Sequence, residues 1–210
     1  MPGNYESYLF DLDGTLLHSI DLIIKCFEYS LSYAAGISLP EQMIRRYIGL
    51  PLKKQFEIYL GHNKGLDYDD IMQKHMDFQL AHWKNYLYLY DGVIETLSAL
   101  KNNNKKLALV TSRRENTVKI YTGHFQIDRF FEIIITPDNC SLHKPDPGPA
   151  LAALHFLGTS AKHALFVGDA EFDILCGRSA GMKTCLVKYS HAGEIIEQPD
   201  FVIENLRELL

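Results

Sequence analysis

The chain has 210 residues, 47% of them apolar, and 21 Lys and Arg against 26 Asp and Glu give it a formal net charge of −5. That is enough apolar material for one medium domain, or for a core domain with a smaller insertion, and it excludes global disorder. The mild acidity and the lack of a Lys/Arg-rich block exclude nucleic acid and an anionic membrane surface as natural partners, and no apolar run approaches the roughly 20 residues of a membrane helix.

The first segment, Tyr5 to Phe10, is aromatic and reads as a strand ending at Asp11. From Leu16 to about Tyr86 the rhythm is helical: Ile20, Ile23, Ile24, Phe27 and Leu31 share a face, Met43, Ile44, Tyr47 and Ile48 repeat the pattern up to Gly49-Leu50-Pro51, and further helices hold Phe56 to Leu60 and Ile71 to Trp83. A polar turn over 61–65 separates the last two, and no strand stands out in this block. Tyr86, Tyr88 and Tyr90 alternate with leucines, as in an extended segment leading back to the core. After Asp91-Gly92, short apolar strands alternate with helices. The strands cover Lys106 to Thr111, Ile133 to Ile135, Ala164 to Val167, Thr184 to Val187 and Phe201 to Ile203. The helices cover Val93 to Leu100, Glu115 to His124, Asp146 to Leu157 and Asp173 to Ala180. The expected fold is therefore α/β: a Rossmann-like parallel sheet core, residues 1–15 and 87–210, with an inserted α-helical cap domain, residues 16–86.

In such sheets ligands bind beyond the carboxyl ends of the strands, so Asp11, Thr111, Thr136 and Asp169 belong together. Asp11-Leu12-Asp13-Gly14-Thr15 sets two carboxylates one residue apart, and Gly14 supplies the freedom for a sharp turn and a close backbone approach to a ligand. Gly168-Asp169-Ala170-Glu171-Phe172-Asp173 brings two more acids to a strand-to-helix turn, a hard-oxygen set suited to Mg²⁺. Each acid could equally be a helix cap or a polar turn. Thr111-Ser112 offers hydroxyls and N–H groups to phosphate oxygens, and Lys144, in Lys144-Pro145, brings a cation to the same rim.

In this order these segments resemble the haloacid dehalogenase-like hydrolase superfamily over the whole chain. Val167-Gly168-Asp169, Lys144-Pro145-Asp146-Pro147, Ala180-Gly181-Met182 and Pro199-Asp200-Phe201-Val202-Ile203 are similar to its phosphoglycolate phosphatase-like branch. The resemblance implies that Asp11 is a nucleophile forming an aspartyl-phosphate and that Asp13 is the acid and base. It implies that Lys144 neutralises charge, and that Thr111, Ser112 and Gly14 bind the phosphoryl group. Asp11, Asp13 (through its carbonyl), Asp169 and Asp173 would serve the metal, Mg²⁺. Arg113 is expected to reach substrate, and the loop Gly49-Leu50-Pro51-Leu52, flanked by Arg45, Arg46, Lys53 and Lys54, to select it. The chain departs from the family pattern at His18, where an acid often stands, and at Ala170, where a small hydroxyl residue is common.

The implied activity is Mg²⁺-dependent hydrolysis of a small phosphorylated metabolite, a phosphoglycolate-like phosphomonoester. Inorganic pyrophosphate hydrolysis and sugar phosphate mutation are the alternatives on the same residues. Four cysteines without a C-x-x-C pair, and an N-terminus that reads as a strand, point to reduced thiols in the cytoplasm. Monomer and homodimer both stay open.

Overall fold

Successive residues of a strand point to opposite faces of a sheet, and a strand covered on both faces reads as an unbroken apolar run. Strand β1 (Ser7–Phe10) is such a run. Tyr8 and Phe10 enter one hydrophobic cluster with Leu107, Leu109, Leu165 and Val167, and Leu9 enters another with Ala108, Val110 and Phe166. The computed structural model describes residues 4–61, 65–190 and 195–210. Among these, the main sheet has six strands, all parallel, in the order β5-β4-β1-β6-β7-β8.

The first hairpin-like pair is small: β2 (Leu17–His18) runs antiparallel to β3 (Tyr88–Leu89). Between them lie α1 (Ile20–Ala35), α2 (Glu41–Arg45), α3 (Leu52–Leu60) and α4 (Tyr68–His82). Then follow α5 (Val93–Asn102), β4 (Lys106–Val110), α6 (Glu115–His124), β5 (Ile133–Ile135), α7 (Gly148–Leu157), β6 (Ala164–Gly168), α8 (Glu171–Ser179), β7 (Lys183–Val187) and β8 (Phe201–Ile203). The sequence shows no strand between residues 16 and 86, yet β2 lies there; two residues are too few for an alternation to register. The turn expected over 61–65 lies mostly outside the described residues. Helix α7 starts at Gly148, two residues after the expected start, because Asp146 Oδ1 accepts the Gly148 N–H at 2.7 Å and ends the loop there.

Helices α5 and α6 cover one face of the sheet through Val93, Leu97, Leu100, Val118 and Tyr121. Helices α7 and α8 cover the other through Ala150, Ala153, Leu154, Leu157 and Cys176. The inserted helices gather round a third cluster, in which Ile20, Ile24, Phe27 and Leu31 of α1 meet Ile44, Ile48, Phe56 and Ile71. Helix α1 has a second apolar stripe: Leu22 and Cys26, one turn apart, join the sheet's cluster with Trp83 and Leu87. One helix thus belongs to two cores and ties the inserted block to the sheet. At the crossover between them, the His18 ring stacks on Tyr88 with centroids 4.3 Å apart.

Strand β1 sits where the strand order reverses, with β4 and β5 on one side and β6, β7 and β8 on the other. The crevice at such a switch point is where open parallel sheets place ligands. Register pairs Phe10 with Leu109 and with Val167, so Asp11, Thr111 and Asp169 emerge side by side from the three central strands.

Candidate active site

Asp11, Asp169 and Asp173 are all buried and bring ligand atoms within 4.8 Å of one another. Two glycines let them converge. Gly14 has φ +82°, and a Cβ there would stand 2.0 Å from Asp169 Oδ2. A Cβ on Gly168 would stand 2.4 Å from Asp173. Only glycine admits approaches this close, and at Gly14 only glycine takes the left-handed backbone without strain.

Lys144, itself buried, reaches into the cluster from the loop before α7 and donates to Asp11 Oδ1 and to Asp173 Oδ1, both at 2.6 Å. Asp173 also accepts the Ala170 N–H through Oδ2 at 3.1 Å, so it caps α8 while it holds the lysine. Both readings of this acid, cap and site member, hold together. Asp169 Oδ2 accepts from Ser190 Oγ at 2.6 Å. Two carboxylates share one ammonium with a third beside them, and the electrostatics follow. Burial pushes the Asp11 carboxyl up to about 7, Lys144 pulls the other way, and Asp173 and Asp13 add repulsion. Asp169 is raised well above the carboxylate range by burial, then by Asp11 and Asp173. Burial works against the charge on Lys144, but Asp11 and Asp173 outweigh it and hold the ammonium protonated. Hard oxygen donors with more negative charge than one lysine can neutralise, in a cradle that a single methyl would fill, fit a divalent cation such as Mg²⁺.

Asp13 is placed differently. Its carboxylate is clasped by Arg113, with Nε to Oδ2 at 2.8 Å and Nη2 to Oδ1 at 2.7 Å. The Arg113 guanidinium is buried and lies 5.0 Å from the centre of the Tyr121 ring, and the Tyr121 hydroxyl accepts from Gln79 Nε2 of α4 at 2.8 Å. Arg113, expected on substrate, therefore meets Asp13 in this structure.

Thr111 stands at the end of β4, four residues before α6 begins, so no helix N-terminus is at hand there. Its hydroxyl oxygen accepts the Arg113 N–H at 3.1 Å, which leaves its own proton to donate. The Ser112 hydroxyl is already committed, donating to the Gly49 carbonyl at 2.6 Å, and so fastens the loop before α3 to the sheet. Thr136 shapes a turn, its N–H meeting Asn139 Oδ1 at 2.9 Å.

A cavity of about 80 Å³ lies between Asp11, Asp13, Thr111 and Arg113 on the sheet side and Gly49, Leu50, Leu52, Gln55, His75 and Gln79 on the other. None of the four cations flanking the loop at 49–52 lines it. Arg45 pairs with Glu41 at 2.6 Å, Lys54 with Glu57 at 3.5 Å, Arg46 lies over the Tyr47 ring, and Lys53 faces a separate groove shared with Arg114. Sequence reasoning missed Gln55, Gln79 and Ser190, because no motif marks them. The His75 ring packs between Phe27 and Phe56.

A Rossmann-like parallel sheet whose central strands end in a buried carboxylate cluster with one lysine defines an α/β enzyme of the phosphatase class. Residues 8–187 match the family model described as haloacid dehalogenase-like hydrolase, and the chain belongs to that family. It is 34% identical over 208 residues to the pyrophosphatase PpaX of Bacillus pumilus, covering 98% of this chain and 94% of that one. A solved structure of a candidate haloacid dehalogenase-like hydrolase from Bacteroides fragilis superposes with a TM-score of 0.89 at 25% identity, over 98% of this chain and 100% of the other. One from Haemophilus somnus, named as a predicted phosphoglycolate phosphatase, gives 0.84 at 25% identity, over 99% and 97%. Among the described residues no helix is long and apolar enough to cross a membrane.

Proposed function

We propose that this phosphatase is Mg²⁺-dependent and hydrolyses a small phosphorylated metabolite through a phosphoryl group carried on Asp11. The observation that carries the reading is the Lys144 clasp: a buried carboxylate held at 2.6 Å by a buried ammonium, beside two further acids. Residues 1–15 and 87–210 act as the catalytic core, and the inserted block at 16–86 acts as a cap over the site.

Lys144 fixes Asp11 through Oδ1, so the carboxylate does not rotate between attack and release. An oxygen of Asp11 attacks phosphorus, and the bond from phosphorus to the leaving oxygen breaks. Asp13 gives that oxygen its proton. In the second half a water attacks phosphorus, Asp13 takes the water's proton, and the Asp11–phosphorus bond breaks to release phosphate. To do this Asp13 leaves Arg113, and the freed guanidinium can then face the incoming anion. The Thr111 hydroxyl and the Ser112 N–H donate to the phosphoryl oxygens, and Gly14 keeps the first turn close to Asp169. Asp11, Asp169 and Asp173, with the Asp13 carbonyl, would hold Mg²⁺, which when bound supplies the positive charge that lets an anionic carboxylate meet an anionic phosphoryl group. Gly49, tied to Ser112, keeps the cap seated and bulk water out.

A second reading, inorganic pyrophosphate as the substrate, is favoured by the name of the Bacillus pumilus relative. A phosphomutase would use the same two aspartates and return the group to a sugar. The deciding experiment is phosphate release across phosphomonoesters, pyrophosphate and sugar phosphates, with and without Mg²⁺, using Asp11→Asn as the blank. Release that needs the metal and vanishes in the variant supports the reading. Turnover by Asp11→Asn, or full activity in excess chelator, overturns it.

A further inference from the structure

A carboxylate that is free to rotate loses that freedom when a metal takes one of its oxygens, so a strong site holds its acids in place beforehand. Lys144 does this for two acids of the cluster, donating to Asp11 Oδ1 and Asp173 Oδ1 at 2.6 Å, and the Ala170 N–H adds a second hold on Asp173. Asp169 is different. Among the described residues it pairs with no cation, Lys144 included. One side chain holds it: the Ser190 hydroxyl donates to Oδ2 at 2.6 Å, the length of a charge-assisted bond. Among the described residues Oδ1 accepts no hydrogen bond, and it is not one of the polar atoms sealed away from contact. It is the oxygen left for an ion.

Ser190 does not belong to the turn that carries Asp169. It lies 21 residues further on, in the chain that follows β7. Its neighbour fixes that chain to the first loop of the site: the Tyr189 hydroxyl donates to the Thr15 carbonyl at 2.6 Å, and its ring packs on Tyr90 with centroids 4.5 Å apart. Two consecutive residues thus grip two loops, one through Thr15 and the other through Asp169. Gly14 lies against both partners, since a Cβ there would stand 2.0 Å from Asp169 Oδ2 and 2.8 Å from Ser190 Oγ. Ser190 and Asp169 are both buried, so bulk water does not take over the bond when the hydroxyl is removed.

We infer that Ser190 is the positioning residue of Asp169: its hydroxyl fixes the carboxylate so that Oδ1 is presented to a divalent cation, and it sets both the affinity for Mg²⁺ and the discrimination between Mg²⁺ and Ca²⁺. The second consequence follows from the ions. Mg²⁺ demands near-ideal octahedral geometry, whereas Ca²⁺ accepts ligands in flexible arrangements, so a loosened carboxylate harms Mg²⁺ more. The inference rests on the metal site of the reading above, and gives Ser190 no step in the chemistry.

The test titrates the metal-free protein with MgCl₂ and, separately, with CaCl₂, and reads each affinity from the rise in Tm, with no turnover involved. Removing a group that orients a metal ligand costs about 10–100-fold in affinity. Ser190→Ala is expected to weaken Mg²⁺ binding by about that factor and Ca²⁺ binding by at least about threefold less. Ser190→Thr keeps the hydroxyl and is expected to bind Mg²⁺ more tightly than Ser190→Ala. Mg²⁺ affinity in Ser190→Ala within about threefold of the wild type, equal losses for the two ions, or no advantage of Ser190→Thr overturns the inference. Should Ser190→Ala not fold, Ser190→Cys, of similar shape with a weaker donor, is judged by the same unequal loss. Failure of the metal reading looks different: neither ion raises the Tm of the wild type, and both readings fall together.

Discussion

His75 offers a clean measurement of what the inserted helices cost to protonate. The ring is fully buried between Phe27 and Phe56, and burial, with a smaller push from Arg113, lowers its pKa from 6.5 to about 3. In the unfolded chain the same imidazole takes up a proton near 6.5. Between pH 6.5 and 3 the unfolded state therefore binds more protons, and stability is lost as the pH falls through that window. At about 1.36 kcal/mol per pH unit, lowering the pH to 5 removes roughly 2 kcal/mol from this group alone. His75→Asn keeps a donor for Ser30 Oγ and cannot titrate. Urea unfolding of both proteins at pH 7.5 and pH 5, in chelator, isolates the effect. Asp11, whose carboxyl is raised and so shifts stability in the opposite sense, is common to both and cancels in the difference. The wild type should lose about 2 kcal/mol more than the variant over this interval. Parallel losses, within about 0.5 kcal/mol, would refute the neutral buried imidazole.

Three further outcomes follow from the site. Lys144→Met leaves Asp11, Asp169 and Asp173 without a cation and should destabilise the metal-free protein by about 3–5 kcal/mol, with Mg²⁺ raising Tm more in the variant than in the wild type; unchanged Tm in chelator would contradict the clasp. Gly14→Ala sets a methyl against Asp169 Oδ2 and should weaken Mg²⁺ activation by at least about tenfold while the circular dichroism spectrum stays native, which a Mg²⁺ titration of activity reads directly. Asp13→Asn should lose most activity on an alkyl phosphate and much less on an activated aryl phosphate, whose leaving group needs no proton; equal losses on both would remove the acid role.

The sheet was legible because its strands are covered on both faces, so β4, β5, β6 and β7 stand in the sequence as apolar runs with an acid or hydroxyl residue at several of their ends. Asp11, Thr111 and Asp169 could be grouped from that alone. Lys144 could be placed on the same rim from its position between β5 and β6, but its role came only from the resemblance, since nothing local distinguishes it from a solvated lysine. The pairing of Asp13 with Arg113 was not legible: the two lie far apart in the chain, and either side chain alone reads as a substrate contact. Gln55 was hidden for a different reason. It sits on α3 among lysines and a glutamate, and the pattern of that helix gives no hint that this one polar residue faces inward. The two-residue strands β2 and β3 carry too little sequence to show any period, although they mark where the inserted block leaves and rejoins the sheet.

Strand β1 lies between β4 and β6, with Ser7 opposite both Lys106 and Ala164. In the order of synthesis, the strand that carries Asp11 precedes β4 by nearly half of the chain and β6 by most of it, with the four inserted helices made in between. Its Tyr8-Leu9-Phe10 run must wait unpaired while they are made, with apolar side chains on both faces and open edges on both sides. High contact order of this kind slows folding and exposes a nascent chain to aggregation. The inserted helices, whose contacts are local, can form their own cluster during that wait. The aspartate at the centre of the site is then made well before the strands that surround it and is among the last residues to acquire its surroundings.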